Sequence, residues 1–141
     1  MRVMVDTCVI MDGLEKREPF WIEARDIFHM AAARRADFFL SAKSVTDIFY
    51  MEHRRTHDAA LTRDVISRLL KLFFAADTKA ADCRNALLAE TADFEDAVMM
   101  ETALREKMDC IVTRNTIDYK RSRIPIYTPK EFLALMSDKR L

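Results

Sequence analysis

The sequence predicts a single α/β domain, a three-layer α/β/α sandwich around a central parallel sheet of four to five strands. Three observations carry this expectation. Short β-branched or aromatic runs alternate with longer stretches of helical periodicity. Half of the 141 residues are hydrophobic, enough for one continuous core. One Gly and three Pro leave little material for linkers, so residues 1–141 are expected to fold as one domain.

The first strand is Val3-Met4-Val5, which stops at Asp6. Asp12-Gly13 is expected to supply a turn. From Phe20 to Ala33, Phe20, Ala24, Ile27, Phe28, Ala31 and Ala32 recur at three- and four-residue steps, as on an amphipathic helix. Asp37-Phe38-Phe39-Leu40 reads as a buried strand. Ser41 or Ser44 can cap the next helix, which runs toward His53 through Val45, Ile48 and Phe49. A helix over Asp58 to Leu70 leads into Leu72-Phe73-Phe74-Ala75, the expected third strand. Ala80 to Leu88 forms a short helix, and Asp93 begins a longer one with Ala97, Met100 and Leu104 on one face. Cys110-Ile111-Val112-Thr113 is the fourth strand and Ile126-Tyr127 the fifth. Pro129 opens the last helix at its favoured first turn.

Lys plus Arg and Asp plus Glu number 23 each, so no global field marks a nucleic-acid binder and any basic surface is local. Arg34/Arg35, His53-Arg54-Arg55 and Lys120, Arg121, Arg123 are the candidate patches. Three cysteines without C-x-x-C spacing suggest neither a disulfide framework nor a zinc site; Cys8 and Cys110 sit in apolar runs and read as core residues. His29, His53 and His57 read as surface residues. No signal-peptide segment and no membrane-length apolar stretch is visible, which leads to the expectation of a reduced, cytoplasmic protein without a membrane partner.

Parallel sheets bind ligands beyond the C-terminal ends of their strands, and here those positions are acidic. Asp6 follows the first strand, Asp47 lies early in the helix after the second, Asp93 and Asp96 open the helix before the fourth, and Asn115 and Asp118 follow the fourth. Clustered carboxylates stay ionised only with a compensating charge. Hard oxygen donors without His or Cys favour Mg²⁺ or Mn²⁺ over zinc. The chemistry such a site supports is phosphodiester hydrolysis, the metal offsetting charge on the attacking and leaving oxygens. Structural roles compete: Asp93 fits an N-cap with Asp96 three residues on, Asp118 fits a turn, and a lone carboxylate such as Asp47 is often merely solvated.

The same residues resemble a known family. Val5-Asp6-Thr7-Cys8-Val9-Ile10-Met11-Asp12 resembles the opening of PIN domains, Ser44-Val45-Thr46-Asp47-Ile48 their second acidic motif, and Asp93-Phe94-Glu95-Asp96-Ala97 the third. The fourth is matched by Ile111-Val112-Thr113-Arg114-Asn115-Thr116-Ile117-Asp118-Tyr119, and Ile124 to Leu133 is similar to the closing strand and helix. The resemblance covers nearly the whole chain. It implies a metal-dependent endoribonuclease, with many small members acting as the toxin of a toxin-antitoxin pair. It further implies RNA as substrate, an antitoxin protein and a second copy of the chain as partners, and Mg²⁺ or Mn²⁺ as cofactor. Asp6 and Asp96 become the principal metal ligands, Asp47 and Asp93 direct or water-mediated partners, and Asn115 with Asp118 the fourth corner of the catalytic set. Thr7 and Thr113 are assigned to orienting a carboxylate or water, and they join Arg114, Lys120 and Arg121 as the substrate-binding group.

Two departures stand out: Asp47 replaces a frequent Glu, and Asn115 replaces a frequent Asp. The second raises the alternative of a PIN-like domain that binds RNA or protein without cutting. A haloacid-dehalogenase-like phosphatase ranks low, because the position two residues after its nucleophilic Asp calls for a second Asp and here holds Cys8.

Overall fold

The computed structural model describes residues 1–89 and 93–139. Its element order is β1 (Arg2–Val5), α1 (Thr7–Glu15), α2 (Trp21–Ala32), β2 (Asp37–Ser41), α3 (Ala42–Thr56), α4 (Ala59–Leu72), β3 (Phe74–Ala76), α5 (Ala80–Ala86), α6 (Phe94–Arg105), β4 (Cys110–Val112), a short 3-10 helix (Thr116–Tyr119), β5 (Ile126–Tyr127) and α7 (Pro129–Asp138). The strands form one sheet in the order β3-β2-β1-β4-β5, every neighbouring pair parallel.

Period-two alternation along the strands divides the core between the two faces. Val3, Val5, Phe38, Leu40, Cys110 and Val112 point to one side, where α1, α2, α3, α4 and α7 cover them with Ile10, Ile27, Ile48, Leu69 and Phe132. Met4 and Ile111 point to the other side and meet Met99 and Ala103 of α6, with Tyr119. Phe38 anchors the first face through edge-on contacts with Phe73 and Phe132, at centroid distances of 6.4 and 5.8 Å. The expected sandwich and parallel sheet are therefore present.

Three local expectations are corrected. Asp12-Gly13 is not a turn but the middle of α1, a helix the sequence reading missed. Val9, Ile10, Met11 and Asp12 are buried consecutively, which erases the polar spacing that makes helical periodicity visible. Gly13 serves close packing instead: a Cβ there would lie 2.9 Å from the Phe28 ring of α2. Cys8 belongs to this helix and not to a strand, and it is half-buried while Cys110 is fully buried.

The third strand begins at Phe74, since α4 continues to Leu72 and Phe73 closes it by donating its backbone N–H to Leu69 at 2.7 Å. Burial of Phe73 between Phe28 and Phe38 sets this junction. Of the two candidate caps of α3, Ser41 performs the role, its Oγ accepting from Ser44 N at 3.1 Å.

A candidate acidic metal centre at the sheet edge

Strand β1 lies at the centre of the sheet, with β2 on one side and β4 on the other. The chain leaves β1 toward β2 and returns to β4 only after β3, so the C-terminal ends of β1 and β4 flank the point where strand order reverses. Asp6 stands at the end of β1, and Thr113, Arg114 and Asn115 follow β4.

Asp6 is 8% exposed and is the N-cap of α1. Its Oδ1 accepts from Thr7 N at 2.8 Å, and its Oδ2 accepts from Thr113 Oγ1 at 2.7 Å and Cys8 Sγ at 3.5 Å. Burial pushes its carboxyl above the ordinary range, against the opposing pull of these hydrogen bonds. Of the two residues expected to orient a carboxylate, Thr113 does so with its hydroxyl and Thr7 with its backbone. The Thr113 hydroxyl also accepts from Asn115 N at 3.0 Å, tying the loop after β4 to the same point. Burial and then the Asp6 charge push the Cys8 thiol up to about 11, so it stays protonated at neutral pH and is no nucleophile.

Asp93 caps α6, its Oδ1 accepting from Asp96 N at 3.1 Å. The capping role is real, and it also places Asp96 in the first turn, facing the sheet edge. Asp93, Asp96 and Asp118 each offer a carboxylate oxygen within 4.8 Å of the others. Among the described residues this is the one such group of three, and Asp6 and Asp47 lie outside it. Asn115 donates its side-chain amide to Asp118 Oδ2, so the neutral residue braces the acid three positions later. Tyr119, 1% exposed, donates its hydroxyl to Asp96 Oδ1 at 3.2 Å, with Met99 Sδ as alternative acceptor at 3.3 Å. The same hydroxyl faces Asp6, and burial with two neighbouring carboxylates keeps it protonated well above the ordinary tyrosine value.

Burial, then the charges of Asp6 and Asp93, push Asp96 up to about 7. A pKa raised from 3.8 to about 7 means that the folded chain binds an extra proton across that interval. Stability then falls as pH rises through it. The metal-free protein is accordingly expected to have a lower urea midpoint at pH 7.5 than at pH 5, with Asp96→Asn flattening the difference. Parallel urea melts in EDTA test this, and an unchanged slope in the mutant refutes it.

Asp47 lies on α3, outside that group of three. Its Oδ2 is closed to solvent and receives no well-directed hydrogen bond, and Lys43 Nζ lies 2.7 Å away. An ammonium at that distance offsets the carboxylate charge whatever its angle. Lys43 also pairs with Glu95 of α6, so it bridges the second and third acidic motifs. Burial alone would lower the lysine, but its pairing with the Asp47 and Glu95 carboxylates prevails and raises it.

Arg114 is committed inward: its Nε and Nη2 donate to the two oxygens of buried Asp12, the latter at 3.1 Å, and its guanidinium lies 4.0 Å from the Phe20 ring centroid. Lys120 and Arg121 are exposed.

Sequence reasoning missed Tyr119, Lys43 and Asp12. The i,i+4 spacing of Lys43 and Asp47 was a usable signal. Tyr119 and Asp12 meet partners 23 and 102 positions away, which no local pattern encodes.

The donor set fits a hard divalent cation. All its members are carboxylates, and one of them, Asp96, is pushed up to about 7 by burial and then by the neighbouring charges of Asp6 and Asp93, a repulsion that a cation would relieve. No helix among the described residues is long and apolar enough to cross a membrane.

A family model described as "PIN domain" matches residues 2–117. No curated protein matches the chain. Among solved structures, VapBC2 from Rickettsia felis bound to a DNA fragment from its promoter superposes with a TM-score of 0.69 at 13% identity, covering 91% of this chain and 98% of that one. A toxin-antitoxin complex from Klebsiella pneumoniae gives 0.67 at 19% identity, with coverages of 90% and 97%. VapC20 from Mycobacterium tuberculosis, described as a sarcin-ricin loop cleaving toxin, gives 0.61 at 15% identity, with coverages of 77% and 86%.

Proposed function

Because the chain belongs to the PIN-domain family, we propose that it is a metal-dependent endoribonuclease that hydrolyses RNA phosphodiester bonds and acts in the cytoplasm as the toxin of a toxin-antitoxin pair. The observation that carries the nuclease reading is the close set of Asp93, Asp96 and Asp118 beside buried Asp6 at the sheet edge. Asp118, braced by Asn115, supplies the fourth-corner charge that Asn115 lacks, which favours cleavage over binding without cutting.

Asp96, Asp93, Asp118 and Asp6 would hold Mg²⁺ or Mn²⁺, with Asp47 reaching the ion directly or through water. The ion would supply charge neutralisation for the attacking and leaving oxygens. Thr113 and Thr7 hold the Asp6 carboxylate in one orientation, and Tyr119 does the same for Asp96. Keeping these groups fixed before substrate arrives lowers the reorganisation the reaction must otherwise supply. Lys43 holds Asp47 and Glu95 together at the rim, and Lys120 and Arg121 supply local positive charge for the RNA backbone. An antitoxin and a second copy of the chain are the protein partners. The apolar groove between α3 and α4, with Phe49, Tyr50, Ile66 and Leu70, suits such a contact.

The test is RNA cleavage by purified protein. Activity is expected with Mg²⁺ or Mn²⁺, to stop in excess EDTA, and not to return with zinc alone. Full activity in EDTA overturns the metal mechanism, and no cleavage of any RNA with Mn²⁺ overturns the nuclease reading.

A further inference from the structure

Arg114, next to Thr113 in the chain, borders a cleft that holds none of the clustered acids. Pro19, Phe20, Glu23, Arg114, Thr128, Pro129 and Lys130 line a cleft of about 410 Å³ between the start of α2 and the start of α7. The volume falls within the range of small-ligand sites. Its wall is a layered stack, in which buried Asp12 grips two donors of Arg114 and the flat guanidinium lies against the Phe20 ring. Phe20 nevertheless remains 40% exposed, so the core does not consume the ring.

This construction has a specific chemical consequence. A guanidinium has five N–H donors in a rigid plane, and a carboxylate that holds two of them leaves the rest for a ligand and fixes the plane's orientation. Asp12 offsets much of the Arg114 charge, so the cleft is poorly suited to a bare phosphate and better suited to a flat, polar-edged ring. Glu23 and Lys130 place a hydrogen-bond acceptor and a donor at its walls. Unpaired RNA bases are bound in this way, by stacking on aromatic rings and guanidinium planes with hydrogen bonds to their edges. The cleft also adjoins the reaction centre through the chain itself, since Arg114 directly follows Thr113, whose hydroxyl holds Asp6.

We propose that the Phe20–Arg114 cleft takes an unpaired nucleobase of the RNA strand, from a nucleotide flanking the scissile phosphate, so that cleavage favours single-stranded segments. This rests on the nuclease reading, since the occupant is the RNA that the acidic site would cut.

Phe20→Ala tests it directly, because the ring is part-exposed and its loss leaves the Asp12–Arg114 pair in place; Lys130→Ala serves as the second variant. Binding is measured by fluorescence anisotropy in EDTA with a mixed-sequence single-stranded RNA, the same strand carrying one abasic site, and the matching duplex. Steady-state cleavage of the single strand is followed with Mn²⁺. Phe20→Ala is expected to weaken single-strand binding about 10-fold and to raise KM similarly, with kcat and Mn²⁺ affinity near wild type. The abasic strand should bind wild type as weakly as the intact strand binds the mutant, and the duplex should bind both proteins equally poorly. Wild-type KM and RNA affinity in both variants overturn the cleft assignment, as they would if the cleft seats a protein segment. A protein that binds the single strand through Phe20 but cuts nothing keeps the base site and sinks only the nuclease reading.

Discussion

Asp6→Asn is expected to abolish RNA cleavage, by more than about 100-fold in kcat/KM or roughly 3 kcal/mol of transition-state stabilisation, while leaving the metal-free fold intact. Asp6 does structural work as an N-cap and as acceptor for Thr7 N and the Thr113 hydroxyl. An asparagine retains nearly all of it. Asn caps helices as well as Asp does, its oxygen can still accept from Thr7 N, and the Thr113 hydroxyl can rotate to accept from the new amide. What the substitution removes is the charge. Asp6 is the first of the neighbouring charges that raise Asp96, so the mutant relieves repulsion and should match wild-type stability in EDTA or exceed it by up to about 1 kcal/mol. A cation that binds only the folded state stabilises it in proportion to its affinity, and the mutant should lose most of that gain on adding Mn²⁺. Denaturant melts with EDTA and with Mn²⁺, paired with cleavage assays, provide the comparison. A mutant equally destabilised in both conditions that still cuts RNA means that Asp6 is a structural acceptor and the active site lies elsewhere.

The largest loss of stability is expected from Arg105→Ala, about 2 to 4 kcal/mol, or a fall in Tm of roughly 5 to 15 °C. Asp82 of α5 is 1% exposed and accepts four hydrogen bonds from three residues. Arg105 Nε and Nη2 reach its two oxygens at 2.9 Å each, Thr102 Oγ1 reaches Oδ2 at 2.9 Å, and Lys79 N closes the start of α5 at 2.9 Å. Burial alone would raise this carboxyl, but the hydrogen bonds and the Arg105 charge hold it below its ordinary value. Its contribution is therefore present above the unfolded value of 3.8 and is lost as pH falls through the folded one. Removing Arg105 strands a buried charge, and it also frees the Asp77 carbonyl that accepts from Nη2. The arginine is itself a quarter exposed, which places the expected cost toward the lower part of the range for buried pairs. The consequence reaches the site, because α6 carries Asp96 in its first turn and Asp93 as its cap. Urea melts at pH 7 and Mn²⁺ titration measure both effects. A mutant within 0.5 kcal/mol of wild type, on the order expected of an ordinary surface change, refutes the assignment of Asp82–Arg105 as the clamp between α5 and α6.

The sequence by itself determined the parallel sheet, the sites of four of its strands and the neighbourhood of the third, and the positions of the acids at strand and helix ends. Each of these is written in patterns spanning a few residues: alternation in strands, three- and four-residue steps in α2 and α6, Pro129 opening α7, and Asp93 three positions before the amide it caps. Helix α1 was invisible for a related reason, since continuous burial of Val9 through Asp12 leaves no polar face to reveal a period. Tertiary structure alone decided which acids meet. It gathered Asp93, Asp96 and Asp118 and left Asp47 to Lys43. It set Tyr119 against Asp96, joined Thr113 to Asp6 across 107 positions, and joined Arg114 to Asp12 across 102. A local pattern reports only which face of its own helix or strand a residue occupies. Which faces confront one another is decided when strand order reverses around β1 and brings the ends of β1 and β4 side by side.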